Sequence, residues 1–174
     1  IVESFPQDAK LIFGPDRNLG GYINAITGRN MLLWNGACHV HSQFSVEALI
    51  ELKKQYPDAM VLAHPECKGV ILKLADVIGS TAALLSHAQK SEKKQFIVVT
   101  EAGILHEMQK SCPDKEFIPV PPMTGSCACN ECAYMRLNTL EKLHQTHACT
   151  TSITCQYWQP FLFRLRTYAS RTWH

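Results

Sequence analysis

Short apolar runs separated by amphipathic stretches set the rhythm of the chain. Residues 11–13, 31–34, 61–63, 77–78, 96–99 and 117–120 are apolar runs bounded by turn-forming and polar residues, and read as strands. Between them, residues 45–54 carry apolar side chains at helical spacing, with Ser45 placed to cap the helix. Residues 67–75, 81–89, 103–110 and 135–144 show the same helical pattern. Strands alternating with helices through short loops predict an α/β architecture with parallel sheets, whose ligands gather at the carboxyl ends of the strands.

The pattern also repeats itself. Phe5-Pro6, Asp8-Ala9, a short apolar run and then Pro15-Asp16 are echoed by Tyr56-Pro57, Asp58-Ala59, an apolar run and Pro65-Glu66, with the same spacing from Asp to Pro. Such self-similarity signals a duplicated unit. Each copy reads as a helix end, a turn, a buried strand and a loop that carries the acid, and residues 2–5 read as the end of an amphipathic helix.

Composition narrows the setting. With 174 residues, 46% hydrophobic and 18% charged, the chain has material for a packed domain or a little more. A formal charge of +2, from scattered lysines and arginines, argues against a nucleic-acid surface. No apolar run approaches the roughly 18 residues of a spanning helix, and the first ten residues lack a signal pattern, so a soluble compartment is expected. The chain starts with Ile, as if it began in the middle of a fold. Its eight cysteines are Cys38, Cys67, Cys112, Cys127, Cys129, Cys132, Cys149 and Cys155. Disulfide frameworks belong to small secreted domains, so reduced thiols and a metal are the expectation. Cys129 and Cys132 form one CxxC without the second pair that zinc normally wants, which leaves an iron–sulfur cluster with ligands from distant loops as the competing reading.

Polar, ionisable or glycine residues follow the strands. Cys38, His39 and His41 come after 31–34; His64, Glu66 and Cys67 after 61–63; Gly79, Ser80 and Thr81 after 77–78; Thr100 and Glu101 after 96–99. One such histidine is commonly a core residue, but four strand ends behaving alike point to chemistry. Ser80 reads equally as a helix cap. Asp16, Arg17 and Asn18 face the same cleft or form a turn, and Glu101 is undecided.

The segments WNGACHVH, AHPEC, ADVIGST and VVTEAGI, and Cys132 followed by AYMRLNTLEKL, resemble quinolinate synthase, an iron–sulfur enzyme of NAD precursor synthesis, in order and spacing from residue 1 to about Leu143. The resemblance implies three similar three-layer α/β/α domains about a pseudo-threefold axis, each giving one cysteine to a [4Fe–4S] cluster. On that pattern residues 1–38 are the remainder of the second domain, 39–143 the third, and 144–174 an atypical tail, with the first domain missing. Cys38 and Cys132 inherit the role of ligands, the third belongs to the missing domain, and Cys67 is a helix-start residue without a metal. Cys127 and Cys129 become neighbours of the cluster, open to redox chemistry. The implied reaction condenses iminoaspartate with dihydroxyacetone phosphate to quinolinate, the open iron acting as a Lewis acid. His41, His64 and Glu66 are implied as general acids and bases that also contact substrate, with Ser80 and Thr81 holding a substrate carboxylate. An L-aspartate-oxidising enzyme is the implied supplier of iminoaspartate, in the cytoplasm or, in a plant or alga, the plastid. Two readings from other classes stand beside this one: a local redox or metal module built on Cys127, Cys129 and Cys132, and an inactive fragment.

Overall fold

In the computed structural model, which describes residues 1–123 and 130–150, each apolar run contributes a strand to a parallel pair. Strands β1 (Ile12–Phe13) and β2 (Leu32–Leu33) form a two-stranded sheet. Strands β3 (Met60–Ala63), β4 (Val77–Ile78), β5 (Gln95–Val99) and β6 (Glu116–Pro119) form a second sheet in the order β4-β3-β5-β6. All of its pairings are parallel, as α/β patterning predicts. The chain divides into two compact units, Ile1–Cys132 and Ala133–His174, and both sheets belong to the first.

The four-stranded sheet is buried on both faces, and the two-residue side-chain period of its strands decides which residue goes where. Val61, Ala63, Ile97 and Val99 point to one face, where they meet Val40 and Phe44 from around helix α2 (His39–Ser42), Leu49 of α3 (Val46–Gln55) and Ile71 of α4 (Gly69–Leu72). Leu62, Phe96 and Val98 point to the other, against Leu84 and Ala88 of α5 (Thr81–Lys90) and Met108 of α6 (Gly103–Ser111). The result is three layers, helix on sheet on helix. Truncating Leu49, Ile71, Ile97, Leu62, Leu84 or Met108, all fully buried, to Ala would cost about 2–5 kcal/mol.

Register fixes where the chemistry emerges. Ala63 is paired with both Ile78 and Val99, so β3, β4 and β5 end level with one another. The His64 amide donates to the Val99 carbonyl at 3.1 Å and the Gly79 amide to the Ala63 carbonyl at 3.1 Å, which carries the alignment one residue past the strands.

Helix α1 (Arg17–Thr27) links β1 to β2 and is absent from the sequence pattern read above. The adjacent Gly20 and Gly21 dilute its propensity. Gly20 is there for packing: a Cβ at this position would lie 2.6 Å from Leu33 Cδ2 and 2.8 Å from Phe13 Cδ1. Asp16 caps the helix start, and Gly28, at a φ of 67°, ends it in the left-handed region.

Several local expectations change. The strand at 11–13 is not buried: Phe13 and Leu33 face α1, so Ile12 and Leu32, one residue back, face away and are 80% and 68% exposed. Beside this sheet lies a groove of about 560 Å³, lined by Val2, Phe5, Leu11, Phe13, Ile23 and Met31. Residues 2–5 form a 3₁₀ turn, Val2–Ser4. The helix expected over 67–75 is the single turn α4, entered through Lys68 and followed by tight turns that return the chain to β4 through Asp76. In the second unit the helix expected over 135–144 is broken into a 3₁₀ turn, Met135–Leu137, and α7 (Leu140–Thr150). Asn138 is extended there, and the Thr139 hydroxyl accepts the Lys142 amide at 3.3 Å, restarting the helix.

Candidate functional site

The first turn of α1 holds two of the strand-end loops. Asp16 is 3% exposed; its Oδ1 accepts the Leu19 amide at 2.8 Å as the helix cap, and its Oδ2 accepts the Cys38 amide at 2.6 Å. The Arg17 amide donates to the Gly36 carbonyl at 2.9 Å and its Nη1 to Asn35 Oδ1 at 2.7 Å. Asn18 Nδ2 donates to the Glu66 carbonyl at 3.0 Å. Asp16, Arg17 and Asn18 are therefore neither a bare turn nor cleft residues alone; they open a helix that fixes the backbones of Cys38 and Glu66.

At the carboxyl ends of β3 and β5 lies a compact group of ionisable side chains. His41 is 6% exposed and its ring stacks on His64, with centroids 4.6 Å apart and planes 23° apart. His41 Nε2 lies 3.0 Å from Thr100 Oγ1, itself buried, and Nδ1 lies 3.1 Å from Glu66 Oε2. The latter approach is within ion-pair reach but off the hydrogen-bond line, so Nδ1 has no hydrogen-bond partner. The Glu66 amide donates to His64 Nδ1 at 3.4 Å, and Glu66 Oε2 lies 3.9 Å from that nitrogen. Ligand atoms of Cys38, His41 and Glu66 all lie within 4.8 Å of one another.

Electrostatics keep both rings neutral near pH 7. Burial lowers the His41 pKa to about 4; His64 adds to the shift and Asp16 opposes it. The Glu66 carboxylate at 3.1 Å pulls in the same direction as Asp16. Burial also lowers His64, against the attraction of Glu66 and Asp16. The Cys38 thiol is raised, chiefly by burial, with the amides of His41 and Val40 opposing and Glu66 reinforcing.

Cys132 is held by a second acid. Glu101 Oε1 accepts the Cys132 amide at 3.2 Å and Oε2 accepts the Gly103 amide at 2.7 Å. The Ala102 amide donates to the Asn130 carbonyl at 2.9 Å, and the buried Asn130 side chain donates to the Val120 carbonyl. Cys38 and Cys132 both pack against the same apolar cluster on one face of the β3–β5 pair, both are half-buried, and both are free thiols. The units β1–α1–β2 and β5–α6–β6 thus match. Each has an acid after its first strand, a cysteine after its second, and the cysteine amide on the acid's carboxylate. This repeat is out of step with the sequence echo, which aligns β1 with β3.

The remaining candidates fall elsewhere. Ser80 caps α5, its Oγ accepting the Ala83 amide at 3.2 Å, and Ser80 and Thr81 are exposed. Among the described residues, no hydrogen bond or ion pair links either to His41, His64 or Glu66, although Gly79 starts their loop at the level of the site. Cys67 is fully buried, its thiol donating to the Val99 carbonyl at 3.4 Å, and burial pushes its pKa up to about 12. Cys127 and Cys129 lie outside the described residues. Thr100, which positions His41, stood in the sequence only as one of the residues after a strand, with no role given to it, since a threonine there carries no spacing signal. No helix of the described residues is long and apolar enough to cross a membrane.

Two half-buried thiols, each with its backbone tied to an acid, suit a thiolate-ligated cluster. Comparison with known proteins supplies the family. The family model for quinolinate synthetase A protein matches residues 1–156. Quinolinate synthases of Chloroherpeton thalassium and a Synechocystis species are each 58% identical to the chain over 144 residues, and that of Thermosynechococcus vestitus is 57% identical. Each alignment covers 83% of this chain and 45% of the relative, so the chain spans a little under half the length of the curated proteins it matches. With the family model matching residues 1–156, and the strands of the described residues laid out in parallel sheets, the chain belongs to the quinolinate synthetase A protein family.

Proposed function

We propose that this chain supplies part of a quinolinate synthase centre, which condenses iminoaspartate with dihydroxyacetone phosphate and then loses phosphate and water to close the pyridine ring of quinolinate for NAD biosynthesis. The observation that carries this reading is the convergence of Cys38, His41 and Glu66, with ligand atoms within 4.8 Å of one another, at the ends of parallel strands. Cys38 and Cys132 would hold a [4Fe–4S] cluster together with a third cysteine from the part of the family's fold that this chain does not span. When bound, the cluster supplies a Lewis-acidic iron with an open position.

The chain's own residues handle protons and orientation. Dehydration and tautomerisation need a group that takes and returns a proton close to neutral pH. Glu66 and His64 are half-buried, with side chains 24% and 17% exposed, so substrate can reach them. His41 is more deeply placed and neutral; its ring is held by Thr100 through Nε2, and it contacts substrate as a hydrogen-bonding group. Ser80 and Thr81 offer exposed hydroxyls and the free amides of the first turn of α5 to a substrate carboxylate. A helix terminus supplies only ~0.3–1 kcal/mol against the ~8 kcal/mol of micromolar binding, so this contact orients the substrate and other groups supply most of the affinity. Iminoaspartate hydrolyses readily in water, so an L-aspartate-oxidising enzyme in the same compartment, cytoplasm or plastid, has to feed the site.

The test is anaerobic reconstitution of the chain with ferrous iron and sulfide. We expect substoichiometric, oxygen-sensitive iron that is lost in both Cys38→Ser and Cys132→Ser. Iron content unchanged by both substitutions would overturn the assignment of the ligands.

A further inference from the structure

The geometry points to a second kind of metal site: we propose that Cys38, His41 and Glu66 bind a single divalent transition-metal ion of the Zn²⁺ type, and that this ion and the cluster exclude each other. One thiolate, one imidazole and one carboxylate make the mixed S/N/O donor set that suits Zn²⁺ and Co²⁺, with a fourth position left to water. In a tetrahedral site with bonds of ~2.0–2.3 Å, ligand atoms sit about 3.3–3.7 Å apart. The three here lie within 4.8 Å of one another, and His41 Nδ1 is already 3.1 Å from Glu66 Oε2, so closing the site needs side-chain shifts of about 1 Å.

A second observation concerns the polar atom that faces the centre of this group. His41 Nδ1 is buried, on a side chain only 8% exposed, and has no hydrogen-bond partner. In either tautomer it is mismatched with its surroundings. As an N–H its proton points off the Glu66 oxygen; as a lone pair it faces a carboxylate of like sign at 3.1 Å. A cation held between Nδ1, the Glu66 carboxylate and the Cys38 thiolate removes the mismatch. His41 Nε2–H then donates to Thr100 Oγ1 at 3.0 Å, the outer hydrogen bond that metal-ligating histidines ordinarily make. The Asp16 carboxylate on the Cys38 amide and the Asn18 amide on the Glu66 carbonyl fix the two loops that bring the donors together.

The ion takes Cys38, which the cluster also needs, and covers Glu66, which the proposed reaction needs for proton transfer. Binding releases the Cys38 thiol proton and gives a site without open iron. Zn²⁺ therefore blocks cluster assembly and silences the centre. The inference rests on the same convergence of Cys38, His41 and Glu66 as the proposed function, but of the two cysteines proposed for the cluster it uses only Cys38.

The two readings separate in one experiment. The reduced, metal-free chain is titrated anaerobically with Co²⁺, and the thiolate-to-cobalt charge-transfer band in the near ultraviolet and the visible bands of tetrahedral Co²⁺ are followed. We expect one Co²⁺ per chain, displaced by Zn²⁺. The charge-transfer band disappears in Cys38→Ser, and affinity falls by about tenfold or more in Glu66→Gln. Cys132→Ser, folded by circular dichroism, binds Co²⁺ as the parent does but fails to take up iron and sulfide. Zn²⁺ added first lowers iron uptake by the parent chain in proportion to its occupancy. Absence of Co²⁺ binding, or a charge-transfer band that survives Cys38→Ser and is lost with Cys132, Cys127 or Cys129, would overturn the proposal. Failure of iron uptake in the parent with Co²⁺ binding intact would count against the cluster reading alone.

Discussion

Asp16 Oδ2 accepts the amide proton of Cys38 at 2.6 Å, across 22 positions of sequence. The same carboxylate caps α1 through Oδ1, so one buried acid ties a helix start to a cysteine backbone. Glu101 and Cys132 repeat the relationship at 3.2 Å. Each cysteine proposed as a cluster ligand is thus set in place through its backbone, which leaves its sulfur free.

The substitution Asp16→Asn separates the two roles of this acid. Asn keeps an oxygen for the Leu19 amide and remains a good helix cap. It presents an amide donor to the Cys38 N–H, so that partly buried donor loses its acceptor, at a cost toward the lower end of about 1–3 kcal/mol. We expect Asp16→Asn to retain less iron after reconstitution than the parent, with the helix content unchanged. Parent-like iron retention in Asp16→Asn, with a loss only in Asp16→Ala, would reduce Asp16 to a helix cap.

Thiol accessibility divides the cysteines. Cys67 is fully buried with its pKa pushed up to about 12, whereas Cys38 and Cys132 are half-buried. Since the thiolate is the nucleophile, iodoacetamide at pH 8 is expected to label Cys38 and Cys132 in the native chain well before Cys67, as read by peptide mass mapping. Labelling of Cys67 at the rate of Cys132 before denaturation would contradict the packing described here.

Acid should weaken the metal-free chain through His41. Its pKa falls from 6.5 to about 4 on folding, so between those values the unfolded chain binds more protons and stability decreases as pH falls. The full shift corresponds to at most about 3 kcal/mol, reached near pH 4 and absent above pH 7. Replacing His41 by Gln should flatten this part of the profile in urea unfolding measured from pH 7.5 to 4. An unchanged slope would show that His41 titrates normally in the folded chain.

The uncovered side of the β1–β2 sheet should make the isolated chain self-associate. Ile12, Leu32 and Trp34 are 80%, 68% and 68% exposed, and Ile12 lies directly across from Leu32. Contiguous apolar surface on an open sheet edge drives association. Leu32→Lys is expected to shift sedimentation toward the monomer with little change in melting temperature, because the Leu32 side chain packs on little. Identical sedimentation of the two proteins would place the contact elsewhere.

The strands were legible because each is apolar throughout and short, the signature of a sheet buried on both faces; β3 and β5 bear this out with almost every side chain inside. The sequence pattern failed at β1, where the same apolar character meets a helix on one face only. Helix α1 was hidden by Gly20 and Gly21, although Asp16 before it and Gly28 after it are ordinary start and stop signals. The strand ends marked a wider set of polar residues, from which the family resemblance singled out His41, His64 and Glu66; the partners of Thr100 and the backbone role of Glu101 lie far along the chain, where no local spacing reveals them.

Combining the chain with the part of the Synechocystis quinolinate synthase that its alignment does not cover tests the proposed centre most directly. After anaerobic reconstitution, quinolinate formed from iminoaspartate and dihydroxyacetone phosphate is measured by mass spectrometry alongside bound iron. We expect no quinolinate from the chain alone, and quinolinate with higher iron content from the pair. Glu66→Gln should lower turnover by about 10²-fold or more while iron stays near the parent value, because its role is proton transfer. Robust quinolinate formation by the 174-residue chain alone, or loss of iron in proportion to activity in Glu66→Gln, would contradict the proposed division of labour among these residues.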